Sequence, residues 1–111
     1  MRDKQHHPRK RGRVRARYGV DGLDRTAFTN NLSVSGAFLR TNMVFRPGTT
    51  IQLELVFPDE TVQLWAQVIW SKKVPPQLAQ TLHCGMGIRF LNPGPDWEEA
   101  FDRWQEGKPK I

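Results

Sequence analysis

The residues whose types and spacing suit chemistry lie in two short stretches. One is Asn31-Leu32-Ser33-Val34-Ser35-Gly36, which runs straight into Ala37-Phe38-Leu39-Arg40. It reads as a tight, polar, glycine-ended corner between two apolar strands. Asn and Ser side chains there can bond their own backbone or a ligand, and Gly36 supplies a conformation that residues with a Cβ avoid. The other stretch is a run of arginines upstream with the spacing Arg9-x-x-x-Arg13. Guanidinium groups present a fixed fork of donors that matches phosphate better than an ammonium does. The same spacing recurs as Arg11 with Arg15 and as Arg13 with Arg17.

Catalysis finds little support in the chain, and an enzyme is not expected. No paired carboxylates can be placed, no nucleophile has an evident base, and there is no Gly-Lys-Ser/Thr phosphate loop. The three histidines lack ligand-like spacing, and His6-His7 reads as an ordinary tail pair. One cysteine, Cys84, excludes an internal disulfide and a cysteine-cluster zinc site, and is read as a small buried thiol. No metal and no cofactor is expected.

The elements that must position these groups follow from length and pattern. At 111 residues the chain suits one domain with a modest core. No apolar run approaches the roughly 20 residues that span a bilayer, so a soluble cytoplasmic protein is expected. The net charge of +6 is unevenly placed. Residues 1–20 hold eight Lys and Arg against Asp3 alone, whereas the remainder holds nine basic and ten acidic side chains. An anionic partner therefore meets the N-terminus first. Residues 1–13 are expected to form a basic arm without regular structure, since it carries no apolar periodicity.

Val14, Ala16 and Tyr18 alternate with Arg15 and Arg17, as in a half-buried strand. A second extended segment is expected over residues 26–32, and Ala37 to Leu39 restarts a strand after the polar corner. Ile51, Leu53, Leu55 and Phe57 mark one face of a strand. Val62, Leu64, Ala66, Val68 and Trp70 mark that of its hairpin partner, with Pro58-Asp59-Glu60 between. Trp65 and Ile69 fall on the opposite face, which hints that something covers that side too. In the last strand, over residues 82–90, Met86, Ile88 and Phe90 share a face, while Gly85 and Gly87 suggest close approach. Such a run of short strands without βαβ spacing predicts an all-β, antiparallel, closed or nearly closed barrel over residues 14–91. A C-terminal helix is expected over residues 96–106. Asp96 and Glu99 form its capping box, and Trp97, Ala100, Phe101 and Trp104 form an apolar stripe that must dock on the barrel or a partner.

An arginine pair about one strand and one turn before Asn-x-Ser-x-x-Gly resembles the PilZ domain, the receptor module for cyclic di-GMP. The resemblance extends through Pro47-Gly48-Thr49, Val68-Ile69-Trp70 and Gly85-Met86-Gly87-Ile88-Arg89-Phe90, roughly residues 9 to 91. It implies a six-stranded PilZ-type barrel and assigns roles. Arg9 and Arg13 would stack on guanine and bond phosphate, Asn31 and Ser33 would read the guanine edge, and Gly36 would let the backbone approach. Lys10, Arg11, Arg15 and Ser35 are additional candidates. Arg9 with Arg13 is the preferred register, because Val14 then directly follows the second arginine and faces the core, as in the family pattern. Chemically, guanine offers O6 and N7 acceptors to an arginine, and its N1–H and N2–H donors require acceptors such as the Asn31 and Ser33 oxygens.

The resemblance implies a bacterial second-messenger receptor that changes shape or surface on binding and passes the signal to another protein, in settings such as motility and biofilm control. Its rivals are a small nucleic-acid-binding barrel and a ligand-free interaction module of motility or pilus machinery. Against the nucleic-acid reading, the chain past residue 20 is net acidic, and no basic residues interleave with exposed aromatics along one strand.

Overall fold

The alternating runs become strands in the computed structural model, which describes residues 13–78 and 84–107. Strands β1 (Arg15–Gly19), β2 (Arg25–Asn30), β3 (Gly36–Arg40), β4 (Thr50–Val56), β5 (Thr61–Lys72) and β6 (Gly85–Leu91) precede the α-helix α1 (Pro95–Glu106). They close into an antiparallel barrel in the order β1-β2-β3-β6-β5-β4. Closure leaves no strand edge unpaired.

Period-two alternation sends Val14, just before β1, with Ala16 and Tyr18 of β1, Ile51, Leu53 and Leu55 of β4, and Met86, Ile88 and Phe90 of β6 into one core. Burying each large aliphatic side chain contributes about 1.5–3 kcal/mol, so β4 alone anchors the wall firmly. At one end of the barrel the Tyr18 hydroxyl shares a hydrogen bond with Thr41 Oγ1 (2.7 Å) and donates to the Met43 carbonyl (2.7 Å). Burial there pushes the phenol pKa above its ordinary value, against the lowering effect of the Thr41 bond.

The other end carries the polar corner, and α1 closes it. Trp97, Ala100 and Phe101 are buried against the barrel, and Trp97 packs on Phe57 and Phe90 with ring centroids 6.1 and 5.2 Å apart. Arg103 grips Glu60 of the β4–β5 turn with two hydrogen bonds, Nη2 to Oε1 at 2.9 Å and Nε to Oε2 at 3.1 Å. The helix thus finds on the barrel the packing that a segment this short needs in order to persist.

Three expectations are corrected. The helix begins at Pro95, with Gly94 at the N-cap and no side-chain cap, so Asp96 and Glu99 form no capping box. Proline suits the first helical position, where its missing N–H costs nothing, and this moves the start one residue upstream of Asp96. Trp70 does not share the core face of Val68. A bulge between Val68 and Trp70 inserts Ile69 as an extra residue, so both Ile69 and Trp70 point outward, 45% and 48% exposed. Trp65 is 53% exposed, and no described part of the chain covers that face as the alternation had hinted.

Candidate functional site

The corner between β2 and β3 is built largely by its own side chains. Asn31 holds a left-handed backbone, φ 54°, a conformation that Asn tolerates better than most residues. Ser33 then closes the turn. Its amide donates to the Gly36 carbonyl (2.8 Å), and its hydroxyl donates to the same oxygen (3.1 Å). That hydroxyl also accepts from the amides of Ser35 (3.3 Å) and Gly36 (3.2 Å). One donor and two lone pairs are all that a hydroxyl has, so Ser33 is saturated by the turn it shapes.

The next two carbonyls tie the corner to its surroundings. The Ser35 carbonyl accepts from the Phe90 amide of β6 (2.9 Å), and the Val34 carbonyl accepts from the Trp97 indole Nε1–H of α1 (2.8 Å). Gly36 is required here for a reason other than the one its turn position suggested. Its backbone is not left-handed, but a Cβ at this position would overlap the Ile88 carbonyl oxygen on the neighbouring strand. Ser33 is held by the turn and its hydroxyl also lies 3.3 Å from the exposed Ser35 hydroxyl, whereas the exposed Asn31 amide is bonded by no described residue, so Asn31 and the outer side of Ser35 are the corner's available polar groups.

The corner forms one wall of an open groove of about 420 Å³ on the outside of the barrel. Asn31, Ser33, Ser35 and Gly36 meet there with Trp70 and Arg89, which come from distant parts of the sequence. Trp70 stacks on Phe38 with centroids 5.4 Å apart and planes 25° from parallel. Its indole occupies the space that a side chain at Gly87 would fill, and the Phe38 ring does the same above Gly85. The two glycines expected to mark close approach therefore make a bare strip on β6 over which two aromatic rings lie. Ordinary strand periodicity hid Trp70 from this site, because one inserted residue reverses the face of everything beyond it.

Of the arginine candidates, Arg9 and Arg11 lie outside the described residues, as does Lys10. Arg13 and Arg15 are described, and both are exposed. Reciprocal bonds between Val14 and Thr29 fix the chain as it enters the barrel: Val14 N–H donates to Thr29 Oγ1 (3.2 Å), and Thr29 N–H donates to the Val14 carbonyl (2.9 Å). Val14 is thereby turned inward, and Arg13 lies over the exposed Phe28 ring, its guanidinium carbon 5.2 Å from the ring centroid. Arg13 does not line the groove itself. It sits at the same end of the barrel, against β2 three residues before Asn31. Arg15 pairs with Phe28 in the β1–β2 register, and Phe28 pairs in turn with Arg40 of β3. Basic and aromatic residues thus interleave across strands, a pattern that cannot be read along any single one.

Among the described residues, no group of three or more His, Cys, Asp or Glu side chains is arranged to hold a metal ion. Cys84 is partly buried, its thiol against the Val74 backbone. What the groove offers is recognition: a hydrogen-bonding amide, an aromatic wall and a guanidinium.

Comparison with known proteins agrees with this architecture. The sequence profile of the PilZ domain matches residues 3–106. Among solved structures, the Bacillus subtilis inhibitor of motility, MotI/DgrA, superposes with a TM-score of 0.68 at 12% identity over 93% of this chain. The chain spans about half of that protein, 49% of its length. The PilZ domain of CeSA from a cellulose-synthesizing bacterium superposes with a TM-score of 0.59 at 16% identity, covering 89% of this chain and 95% of that one. At such identities the likeness is one of fold. No curated protein gives a significant sequence match. The match to the PilZ profile over nearly its whole length shows that the chain belongs to the PilZ domain family.

Proposed function

We propose that this protein is a cyclic di-GMP receptor that passes the state of its binding site to another protein. The observation that carries the reading is the groove, where the Asn31–Gly36 corner meets Trp70 at the end of the barrel where Arg13 lies over Phe28. In this reading the exposed Asn31 amide accepts from a guanine N1–H or N2–H. Ser33 holds the corner in shape and contacts the base edge by exchanging its long 3.3 Å bond to the Ser35 amide for a bond to the ligand. Ser35 is the neighbouring exposed hydroxyl. Gly36 keeps β3 close to β6. Arg9 and Arg13 bond the phosphates and stack on guanine, with Lys10, Arg11 and Arg15 adding positive charge around them.

The arm over residues 1–13 would close on the ligand, whose phosphates offset the mutual repulsion of its cations. Output would follow from that closure and from α1, which is bonded to the corner through Trp97. Trypsin tests the closure: saturating cyclic di-GMP slows cleavage at Arg9, Lys10, Arg11 and Arg13 far more than at Lys108 and Lys110. Equal protection at both ends, or none at either, would refute it.

A second reading, nucleic-acid binding, is favoured by one observation, the cross-strand row of Arg15, Phe28 and Arg40. Binding of DNA oligomers that weakens steeply between two salt concentrations, with no response to cyclic di-GMP, would establish it instead.

A further inference from the structure

Arg89 is the cation that lines the groove, and neither the arginine run nor the Asn31–Gly36 motif includes it. It lies on the outer face of β6, exposed, with Gly36 beside it on β3 and Gln67 beside it on β5. Gly36 carries no side chain, so on the side facing the corner the position next to Arg89 is bare. On the other side, Arg89 Nη2 donates to the Gln67 amide oxygen at 3.3 Å. That partner is neutral and the bond is long. Two acidic side chains of the barrel, Glu54 and Glu60, pair with Arg17 and Arg103 instead. Arg89 is therefore held in direction and pairs with no carboxylate among the described residues, which leaves its fork of donors for a ligand.

From this arrangement we infer that Arg89 is a specificity-determining residue that reads the O6/N7 edge of a guanine. The inference rests on the reading of the groove as a cyclic di-GMP site. Asn31 follows β2, and Arg89 lies two strands further along the barrel wall, a separation of roughly 10 Å at the usual strand spacing. A purine lying between them must present donors toward the amide oxygen and acceptors toward the guanidinium. Guanine satisfies both at once. Adenine carries an amino group where guanine has O6, so the Arg89 fork would meet a donor with donors. The arginines of the N-terminal run would then serve phosphate and stacking, while the base is identified by Asn31 and Arg89.

The test uses the full chain, wild type, Arg89→Met and Arg89→Lys, titrated with cyclic di-GMP and with its bis-7-deaza analogue, in which carbon replaces each N7. Wild type should bind the analogue about tenfold more weakly, because one bond of the bidentate pair is gone. Arg89→Met should bind cyclic di-GMP about tenfold to a hundredfold more weakly than wild type and bind both ligands alike. Arg89→Lys should fall between, since an ammonium lacks the planar fork. Circular dichroism and the melting temperature should be nearly unchanged, as the side chain is exposed.

Wild-type affinity in Arg89→Met would overturn the inference. A loss that leaves the preference for cyclic di-GMP over the analogue intact would also overturn it, by making Arg89 a phosphate contact. If wild type binds neither ligand, the reading of the groove itself fails, a result distinguishable from either of these.

Discussion

Replacing Trp97 by Phe removes one hydrogen bond and part of one ring from the junction between α1 and the polar corner. The indole is 1% exposed and its N–H reaches the Val34 carbonyl at 2.8 Å. Loss of a bond of this kind costs about 1 kcal/mol, rising toward ~3 kcal/mol if the carbonyl is left without water. The smaller phenyl keeps contacts with Phe57 and Phe90 but leaves space, costing about a further 1 kcal/mol, a fraction of the ~3–5 kcal/mol of truncation to Ala. A total of about 2–4 kcal/mol should lower the melting temperature of a domain this size by roughly 8–25 °C. Urea denaturation followed by circular dichroism measures the stability. Amide exchange at Ser35 and Gly36 measures the corner, and should quicken before global unfolding does. A variant within about 0.5 kcal/mol of wild type, with unchanged exchange at these amides, would refute the claim that α1 braces the corner.

Ser33→Ala should cost about 1–3 kcal/mol in chemical denaturation, because the Ser35 and Gly36 amides lose their shared acceptor, whereas Ser35→Ala should stay within about 0.5 kcal/mol. Equal effects would make the Ser33 network incidental. Gly36→Ala should cost at least about 1–3 kcal/mol by forcing β3 away from the Ile88 carbonyl, and a melting temperature like wild type's would contradict that close approach. Tyr18 predicts a pH dependence. Its folded pKa lies above the ordinary 10.0, so the folded state holds a proton that the unfolded state has begun to lose. The stability so gained is complete below about pH 10 and disappears as pH rises through the folded value. Tyr18→Phe should remove this part of the alkaline loss in stability curves measured from pH 8 to 12. An identical slope in both proteins would contradict the assignment.

Where a local pattern decides the structure, the sequence was readable. The alternation of Ile51, Leu53 and Leu55 and the stripe of Trp97, Ala100 and Phe101 both name their buried faces correctly, because each needs only the period of its own element. The corner was readable as a turn, since Asn, Ser and Gly have strong turn preferences. What escaped depends on a neighbour. The outward turn of Trp70 comes from a bulge defined against β6. The need for glycine at position 36 comes from the Ile88 carbonyl, 52 residues away in sequence and adjacent in space. Arg89 reaches the groove because its strand lies beside β3, a pairing that spacing along the chain does not encode. The capping box failed for a local reason, as Pro95 takes the first helical position ahead of Asp96.

Isothermal titration of the full chain with cyclic di-GMP tests the central claim most directly, with DNA oligomers titrated under the same conditions at two salt concentrations. A saturable heat with cyclic di-GMP, lost or weakened about tenfold to a hundredfold in Arg13→Ala and in Asn31→Ala while both variants keep the wild-type circular dichroism, is the predicted result. No saturable heat with cyclic di-GMP, or affinity unchanged in both variants, would contradict it.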